Sequence, residues 1–474
     1  MYRDEATREQ VNRLIAQQQR LIRAWRQPDF DRDAHYAERL GKTVRSALEL
    51  ESYRELLGSE GAASVDALLS RGADYRELLA ALPILAKREY RAISGEASRS
   101  RRHRMLNYFE TSGTTGEPLP APKGLHDLVV NTVNFGEHWA EFLSGGDTAL
   151  ILINTPQGPA AFQFEHALNY LGIATFRTWV DTVRNDYGRV IRIAGFLRPT
   201  VFAGPPSQLI NLYEYAAANG LEAPAFRKVL LTGERSSPAL KRRLRQLTGG
   251  AVYDASYGSS ETGTTAVAVS EDALRLQTHS YIFEIEERDG RIRFVTGDGP
   301  VEGELIVTAL ENDLRPLIRY RTGDLVRIEP REEGVLDITP LGRLGHALDL
   351  PGVGLDQDEF EELVWPEDGD SRIFNYFIAV CPDKVYFVFT GDYDNEAQAE
   401  RHLRHLREAI PGVAFCMVPK LPDIAGLGST LGWKAARVHD LRKPADPSYP
   451  ANIRQAMEQL RQFMETLRSQ EAAV

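Results

Sequence analysis

The sequence predicts an α/β protein: a large N-terminal domain of layered mixed sheets with helices and a small antiparallel β subdomain, then a small C-terminal α+β domain. Three observations predict it. Between Thr148 and Tyr257, short apolar runs alternate with helix-length stretches, as in a layered α/β sheet. From Ser280 to Ile338 the segments become short and alternating, with turns such as Arg288-Asp289-Gly290 between them, which reads as antiparallel sheet or a small barrel. Past a Pro/Gly-rich passage at Pro340 to Gly354, a hairpin, a helix and a strand follow in a compact run.

Residues 5 to 27 place Val11, Leu14, Ile15, Leu21, Ile22 and Trp25 near helical spacing, an amphipathic helix with one face on the body of the protein. Helical character continues through Leu48 to about Leu82, where Pro83 breaks it and a short linker leads to a strand at Leu106 to Glu110. Leu125 to Leu143 reads as a helix. Thr148 to Asn154 is a continuous apolar run, as expected of a buried strand. Then come a helix at Gln163 to Leu171, strands at Ile173 to Phe176 and Thr200 to Ala203, and helices at Val190 to Leu197 and Gln208 to Asn219. Lys228 to Leu231 is a strand, Pro238 to Leu247 a basic helix, and Val252 to Tyr257 another strand. Later strands are expected at Ile282 to Glu286, Arg291 to Val295, Gly303 to Thr308, Leu317 to Tyr320 and Leu325 to Ile328. The last region reads as a hairpin (Ile373 to Val380, Lys384 to Thr390), a helix (Glu396 to Ile410), a strand (Ala414 to Val418) and an amphipathic helix (Ile453 to Leu467).

A chain of 474 residues exceeds one ordinary core, so two or three domains are expected. The net charge of −11 argues against a general nucleic-acid binder. The basic run Arg99, Arg101, Arg102, His103, Arg104 reads as a solvated face. Cys381 and Cys416 form no disulfide framework, and the histidines show no zinc-ligand spacing. With no signal-type run and no stretch long enough to span a bilayer, a cytoplasmic protein without a membrane partner is expected.

The chemistry-bearing stretch is Thr111-Ser112-Gly113-Thr114-Thr115-Gly116-Glu117-Pro118. Glycines allow close approach of backbone to a ligand, and hydroxyls with bare amides can surround phosphate oxygens. No Gly-Lys-Ser/Thr follows, so this is no Walker A loop. Downstream, Tyr257-Gly258-Ser259-Ser260-Glu261 leaves a strand end, where an aromatic face can cover a flat base and a carboxylate can meet a metal ion. In Tyr320-Arg321-Thr322-Gly323-Asp324, an Asp in a tight turn can accept two hydrogen bonds from a cis-diol. Ligands of α/β sheets bind at the carboxyl ends of strands, so the loops near Asn154, Ala203, Thr232 and Gly258 are candidates to share one site.

These motifs, in this order, resemble those of the adenylate-forming superfamily of acyl-CoA synthetases, luciferases and adenylation domains. The stretches Gly158 to Phe162, His166 to Gly172 and Gly204-Pro205-Pro206-Ser207 look most like its phenylacetate–CoA ligase branch. The resemblance covers residues 80 to 443. It implies ATP and Mg²⁺ as cofactors and a carboxylic acid as substrate. The phosphates would lie on Thr111, Ser112, Gly113, Thr115 and Gly116, with Thr114 catalytic. Tyr257 would pack on adenine with Gly258 and Ser260 also binding the nucleotide, Glu261 would act in catalysis by holding Mg²⁺, Asp324 would bind the ribose and Arg343 ribose or phosphate. Gly233-Glu234 resembles the family's adenine-side turn, and Gly432-Trp433-Lys434 through Arg437 its segment carrying the catalytic lysine, here Lys434. Gly342-Arg343 resembles the dipeptide before the interdomain hinge. This puts a large adenylation domain at 1–343 and a small, mobile domain at 344–474.

The acid would sit among Phe162, His166, Ala203, Gly204, Pro205, Ser256 and Tyr257, and Phe162, Phe164 and Tyr257 lean toward an aromatic or medium-sized apolar acid. One departure stands out. Where the family has hinge acids and a lysine, this chain has Gly345, His346 and Asp349, with Gly352 kept. The adenylate could therefore pass to coenzyme A or to an amine, forming a thioester or an amide or N–N bond. A non-catalytic nucleotide-binding scaffold is the third reading, opposed by the joint presence of Lys434, Asp324 and Glu261. A homodimer is compatible with the sequence but not read from it.

Overall fold

The computed structural model describes residues 3–110, 119–153, 158–180, 186–312, 314–343, 355, 357–367, 371–393, 396–422, 437–442, 447 and 451–471. The loop at Thr111 to Pro118, Lys434, and the hinge positions Gly345, His346, Asp349 and Gly352 lie outside them.

Five helices open the chain: α1 Glu5–Trp25, α2 Arg32–Leu48, α3 Glu51–Ser70, α4 Tyr75–Ala80 and α5 Lys87–Ser100. Asp4 caps α1 by accepting from Thr7 N at 2.8 Å. The apolar face of α1 packs Ile22, Val11, Leu14 and Ile15 against Val129 and Val133 of α6 (Leu125–Trp139), as its periodicity predicts. Helix α3 kinks at Gly58, whose φ of 69° suits glycine. Helix α5 corrects the expected linker. Its buried positions Tyr90, Ile93, Ser94 and Ala97 keep helical spacing, but two of the four are small and leave little apolar signal. Arg101 is also corrected. It is buried, and donates to Ser46 O, Leu314 O and Glu49 rather than to water.

Strands β1 Met105–Glu110 and β2 Pro120–Gly124 form an antiparallel pair leading into α6. The expected alternation then appears: β3 Thr148–Leu152, α7 Ala160–Tyr170, β4 Ala174–Thr178, α8 Gly188–Leu197, β5 Val201–Gly204, α9 Pro206–Ala218, β6 Lys228–Leu231, α10 Pro238–Thr248, β7 Ala251–Asp254. The strands make a five-stranded parallel sheet of order β4-β3-β5-β6-β7. Its central strands β3 and β5 read as apolar runs because both faces are covered.

The stretch Val252 to Tyr257 is two strands, not one. After β7, Ala255 donates its N–H to Leu231 O at 2.8 Å on the parallel sheet, and its carbonyl accepts from Ala268 N at 3.1 Å on the next. Strand β8 Ser256–Ser259 then begins an eight-stranded antiparallel sheet. Its other strands are β9 Gly263–Ser270, β10 Ala273–Leu276, β11 Tyr281–Glu286, β12 Ile292–Phe294, β13 Val301–Ala309, β14 Tyr320–Glu332 and β15 Val335–Arg343, in the order β12-β11-β13-β14-β15-β10-β9-β8. The sheet is wider than the subdomain expected from Ser280 onward, Leu317 to Arg319 precede β14 rather than forming a strand, and Pro340 to Arg343 belong to β15 rather than to a linker. Helices α2 to α5 cover this sheet through Leu40, Val44, Val65, Leu79 and Ile93.

The C-terminal part comprises α11 Gln357–Val364, β16 Ile373–Val380, β17 Val385–Gly391, α12 Glu396–Ala409, β18 Val413–Met417, β19 Val438–Asp440 and α13 Ala451–Glu471. Its sheet runs β18-β17-β16-β19, with β16 and β17 antiparallel and the outer pairings parallel. One apolar cluster runs from Phe202, Val229 and Leu240 through Phe360 and Trp365 to Tyr376 and Phe387, so the two parts share a core. Arg235–Asp358, Ser237–Glu361 and Arg242–Glu362 ring that contact.

Candidate active site

The two motifs on the antiparallel sheet meet. Tyr257 on β8 donates its Oη to Asp324 Oδ2 on β14 at 2.8 Å. Between them opens a cleft of about 200 Å³ lined by Lys87, Tyr257, Gly258, Glu261, Glu304 and Asp324, among others.

The local sequence explains how the turn before Asp324 is held. Arg319 adopts a left-handed φ of 47°, which costs energy for a residue with a side chain. Its buried guanidinium overrides that cost with bonds to Glu284 (2.8 and 3.0 Å), Leu79 O and Leu82 O. Glu304 accepts from Gly323 N at 3.2 Å and from Arg321 at 2.6 Å, while Thr322 Oγ1 donates to Leu305 O. Gly323 takes a φ of 76°, which glycine permits. The aspartate therefore sits on a turn tied to β13 at three points.

Tyr257 and Gly258 are set by close backbone packing. A side chain at Gly258 would place its Cβ 2.1 Å from Gly263 O, so only glycine fits. Beyond them, Glu261 is buried, with 7% of its surface exposed. Arg315, fully buried, donates to the carbonyls of Ser260 and Glu261 (2.8 Å each) and of Pro120 (2.9 Å), and lies over the Tyr90 ring. It locks the motif to the hairpin that flanks the 111–118 loop. Lys87, the first residue of α5, places its Nζ 3.6 Å from Glu261 Oε1. Neither Arg315 nor Lys87 stands in a motif, so sequence reasoning missed both.

Of the cleft's buried acids, Glu304 is taken up by Arg321 and Gly323 N, whereas the Glu261 carboxylate suits a Mg²⁺ that takes most of its ligands from phosphate oxygens and water. No cluster of three or more His, Cys, Asp or Glu that could cage a metal by protein groups alone occurs among the described residues. The residues present therefore fit a phosphate-bound cation.

The other predicted residues that the structure describes do not line this cleft. Arg343 closes β15, its backbone in register with Asp324. Gly233 has a φ of 85°, and Glu234 accepts from Ser207 N (3.1 Å) and Ser207 Oγ (2.6 Å), stitching the turn after β6 to the start of α9. Ala203, Gly204 and Pro205 are buried at the end of β5, where a Cβ on Gly204 would come 2.6 Å from Leu152 O. Ser256 begins β8.

Phe162 and His166 line a second, smaller cavity with Asn107, Phe109, Lys123 and Gln163. The Phe162 ring meets Phe109 at 5.6 Å and carries the Arg177 guanidinium at 4.4 Å. Burial lowers the His166 pKa. Lys123, also missed by sequence reasoning, is buried, and burial pushes its ammonium down to about 8. Phe164 departs from expectation. Helical spacing turns it away, into the core against Phe135 and Trp139.

No described helix is long and apolar enough to cross a membrane. The AMP-binding enzyme family matches residues 32–283. Phenylacetate-coenzyme A ligase from Aromatoleum evansii is 25% identical over 352 residues, 69% of this chain and 74% of that protein. The enzyme of the same name from Pseudomonas putida is 24% identical over 277 residues, 55% of this chain and 60% of that protein. A crystal structure of 2-hydroxyisobutyryl-CoA ligase in the postadenylation state, at 17% identity, has a TM-score of 0.68 over 92% of this chain and 93% of that one. The chain belongs to the AMP-binding enzyme family, as an adenylate-forming ligase of the phenylacetate–CoA ligase-like branch.

Proposed function

We propose that the protein uses ATP to activate a carboxylic acid as its acyl adenylate, releasing pyrophosphate, and then transfers the acyl group to coenzyme A with release of AMP. The supporting observation is the Tyr257–Asp324 pair lining the same cleft as Glu261. Asp324 accepts from the ribose hydroxyls, the Tyr257 ring covers adenine, and the loop from Thr111 to Gly116 surrounds the phosphates. Glu261 would hold Mg²⁺, which when bound supplies charge neutralisation at the phosphates. A carboxylate oxygen of the acid attacks the α-phosphorus as the bond to pyrophosphate breaks. Lys434 donates to the oxygens on which charge accumulates. Residues 1–343 then form the adenylation domain and 344–474 the lysine-bearing domain.

The tilted Phe109 and Phe162 rings that line the second cavity favour an aromatic acid. Coenzyme A is the acceptor that the named relatives support. An amine is the second reading, favoured by Gly345, His346 and Asp349 at the hinge.

The test is to incubate the protein with ATP, Mg²⁺ and a panel of aromatic and short-chain acids, with and without coenzyme A, and to follow pyrophosphate and AMP. AMP release that requires coenzyme A is expected. Pyrophosphate release indifferent to coenzyme A would replace it with the amine reading.

A further inference from the structure

Among the cleft's lining residues, Lys87 stands out by its surroundings. The acids Glu261, Glu304 and Asp324 face the same space as two cations, Lys87 and Arg321. Arg321 is committed: it pairs with both Glu286 and Glu304. Arg315, outside the lining, gives its two terminal nitrogens to three carbonyls. Among the described residues, the only ion-pair partner of Lys87 is Glu261. At 3.6 Å that contact is longer than a hydrogen bond, and the lysine side chain is 40% exposed. So long a contact, with the side chain partly in solvent, holds the lysine loosely, and a better anion displaces it readily.

The backbone under Lys87, by contrast, is firmly held. Leu85 donates its N–H to Arg319 O and accepts from Arg321 N, both at 2.9 Å, so it bridges to the very strand that leads to Asp324. Two residues on, Lys87 opens helix α5 beside the cleft. A long flexible ammonium on a fixed anchor can swing between two anions without moving the chain.

The geometry points to Lys87 as a phosphate-binding cation of the adenylation step, one that neutralises Glu261 in the free protein and transfers to the nucleotide's phosphates when ATP enters. Glu261 is thereby kept compensated while buried, and is released when its own cation arrives with the nucleotide. This rests on the cleft being the nucleotide site. Lysine suits the task because it recognises phosphate as a point charge and needs no fixed fork geometry.

The experiment compares equilibrium binding of ATP and of adenosine, by calorimetry with no acid present, to the native chain and to Lys87→Ala and Lys87→Arg. Lys87→Ala should weaken ATP by about tenfold or more, while adenosine, which has no phosphate, binds as before. Lys87→Arg should recover most of the loss, and raising the salt concentration should narrow the gap between native and Lys87→Ala. Native-like ATP binding by Lys87→Ala would overturn the assignment. Equal losses for ATP and adenosine would overturn it too, leaving Lys87 a structural prop for the cleft. A native chain that binds neither ligand would instead sink the nucleotide reading of the cleft, and Lys87's role with it.

Discussion

Tyr257 Oη and Asp324 Oδ2 lie 2.8 Å apart, joining residues 67 positions apart in sequence across the eight-stranded sheet. The hydroxyl orients the carboxylate, and the ring beside it walls the same cleft. Removing the hydroxyl alone leaves the ring in place. Tyr257→Phe should therefore weaken ATP binding by about two- to tenfold, the value of one ordinary hydrogen bond. Asp324→Ala removes the acceptor itself and should weaken it by about ten- to a hundredfold. Calorimetric titration with ATP measures both, and a larger effect of Tyr257→Phe than of Asp324→Ala would contradict this division of roles.

Lys434→Ala should cut pyrophosphate release by about two to three orders of magnitude, the usual cost of losing one donor aimed at developing charge. ATP affinity should stay near native, because the ribose and adenine contacts proposed above lie on other segments. Single-turnover pyrophosphate release, read beside ATP binding, separates the two effects. Near-native release would remove Lys434 from the reaction.

Two buried imidazoles, His138 and His279, and a half-buried one, His35, meet where α1, α2, α6 and the turn before β11 converge. His279 Nε2 meets Asn134 Oδ1 at 3.0 Å, His35 Nε2 meets His279 O at 2.9 Å, and His138 Nδ1 meets Asn134 O at 3.0 Å. Burial lowers all three pKa values from the ordinary 6.5, and Arg26 lowers those of His138 and His279 further. Glu38 and Glu141 act the other way on His35 and His138 without reversing the shift. Below pH 6.5 the unfolded chain gains protons that the folded chain refuses. Stability conferred by these groups is therefore intact above pH 6.5 and lost as pH falls from there through their folded values. Urea midpoints measured from pH 7.5 down to 5 should decline, and His279→Gln should flatten the slope.

Lys123 offers a test of opposite sense. Its folded pKa of about 8 lies below the ordinary 10.5, so burial of the charge opposes folding at pH 7. Lys123→Met keeps the length and removes the charge. It should raise stability at pH 7 by on the order of 1–3 kcal/mol, with the gain shrinking as pH rises from about 8 through 10.5. Urea unfolding at pH 7 and pH 10 provides the comparison.

The parallel sheet was legible because buried strands announce themselves as continuous apolar runs; β6 falls on the expected Lys228 to Leu231. Helix α5 was not, since Ser94 and Ala97 pack its buried face without an apolar stripe. The split of Val252 to Tyr257 between two sheets was hidden too, because strand propensity says nothing about which neighbours a strand finds. For the site, the motifs around Tyr257 and Asp324 could be picked out by residue type and order. Their hydrogen bond, the Arg315 brace and the Lys87 contact depend on chain crossings that no local pattern encodes.

Ala255 serves both sheets with one peptide unit's worth of chain, donating to one and accepting from the other. That leaves no slack between Asp254 and Tyr257. Side chains on a strand alternate faces, so a single inserted residue there would turn the Tyr257 ring to the far side of its sheet and strip Asp324 of its partner. Deletion would do the same. Surface connections elsewhere can lengthen or shorten at small cost, but this short stretch works as a fixed-length spacer, and variants of the enzyme that still bind ATP should preserve its residue count even where they change its residues.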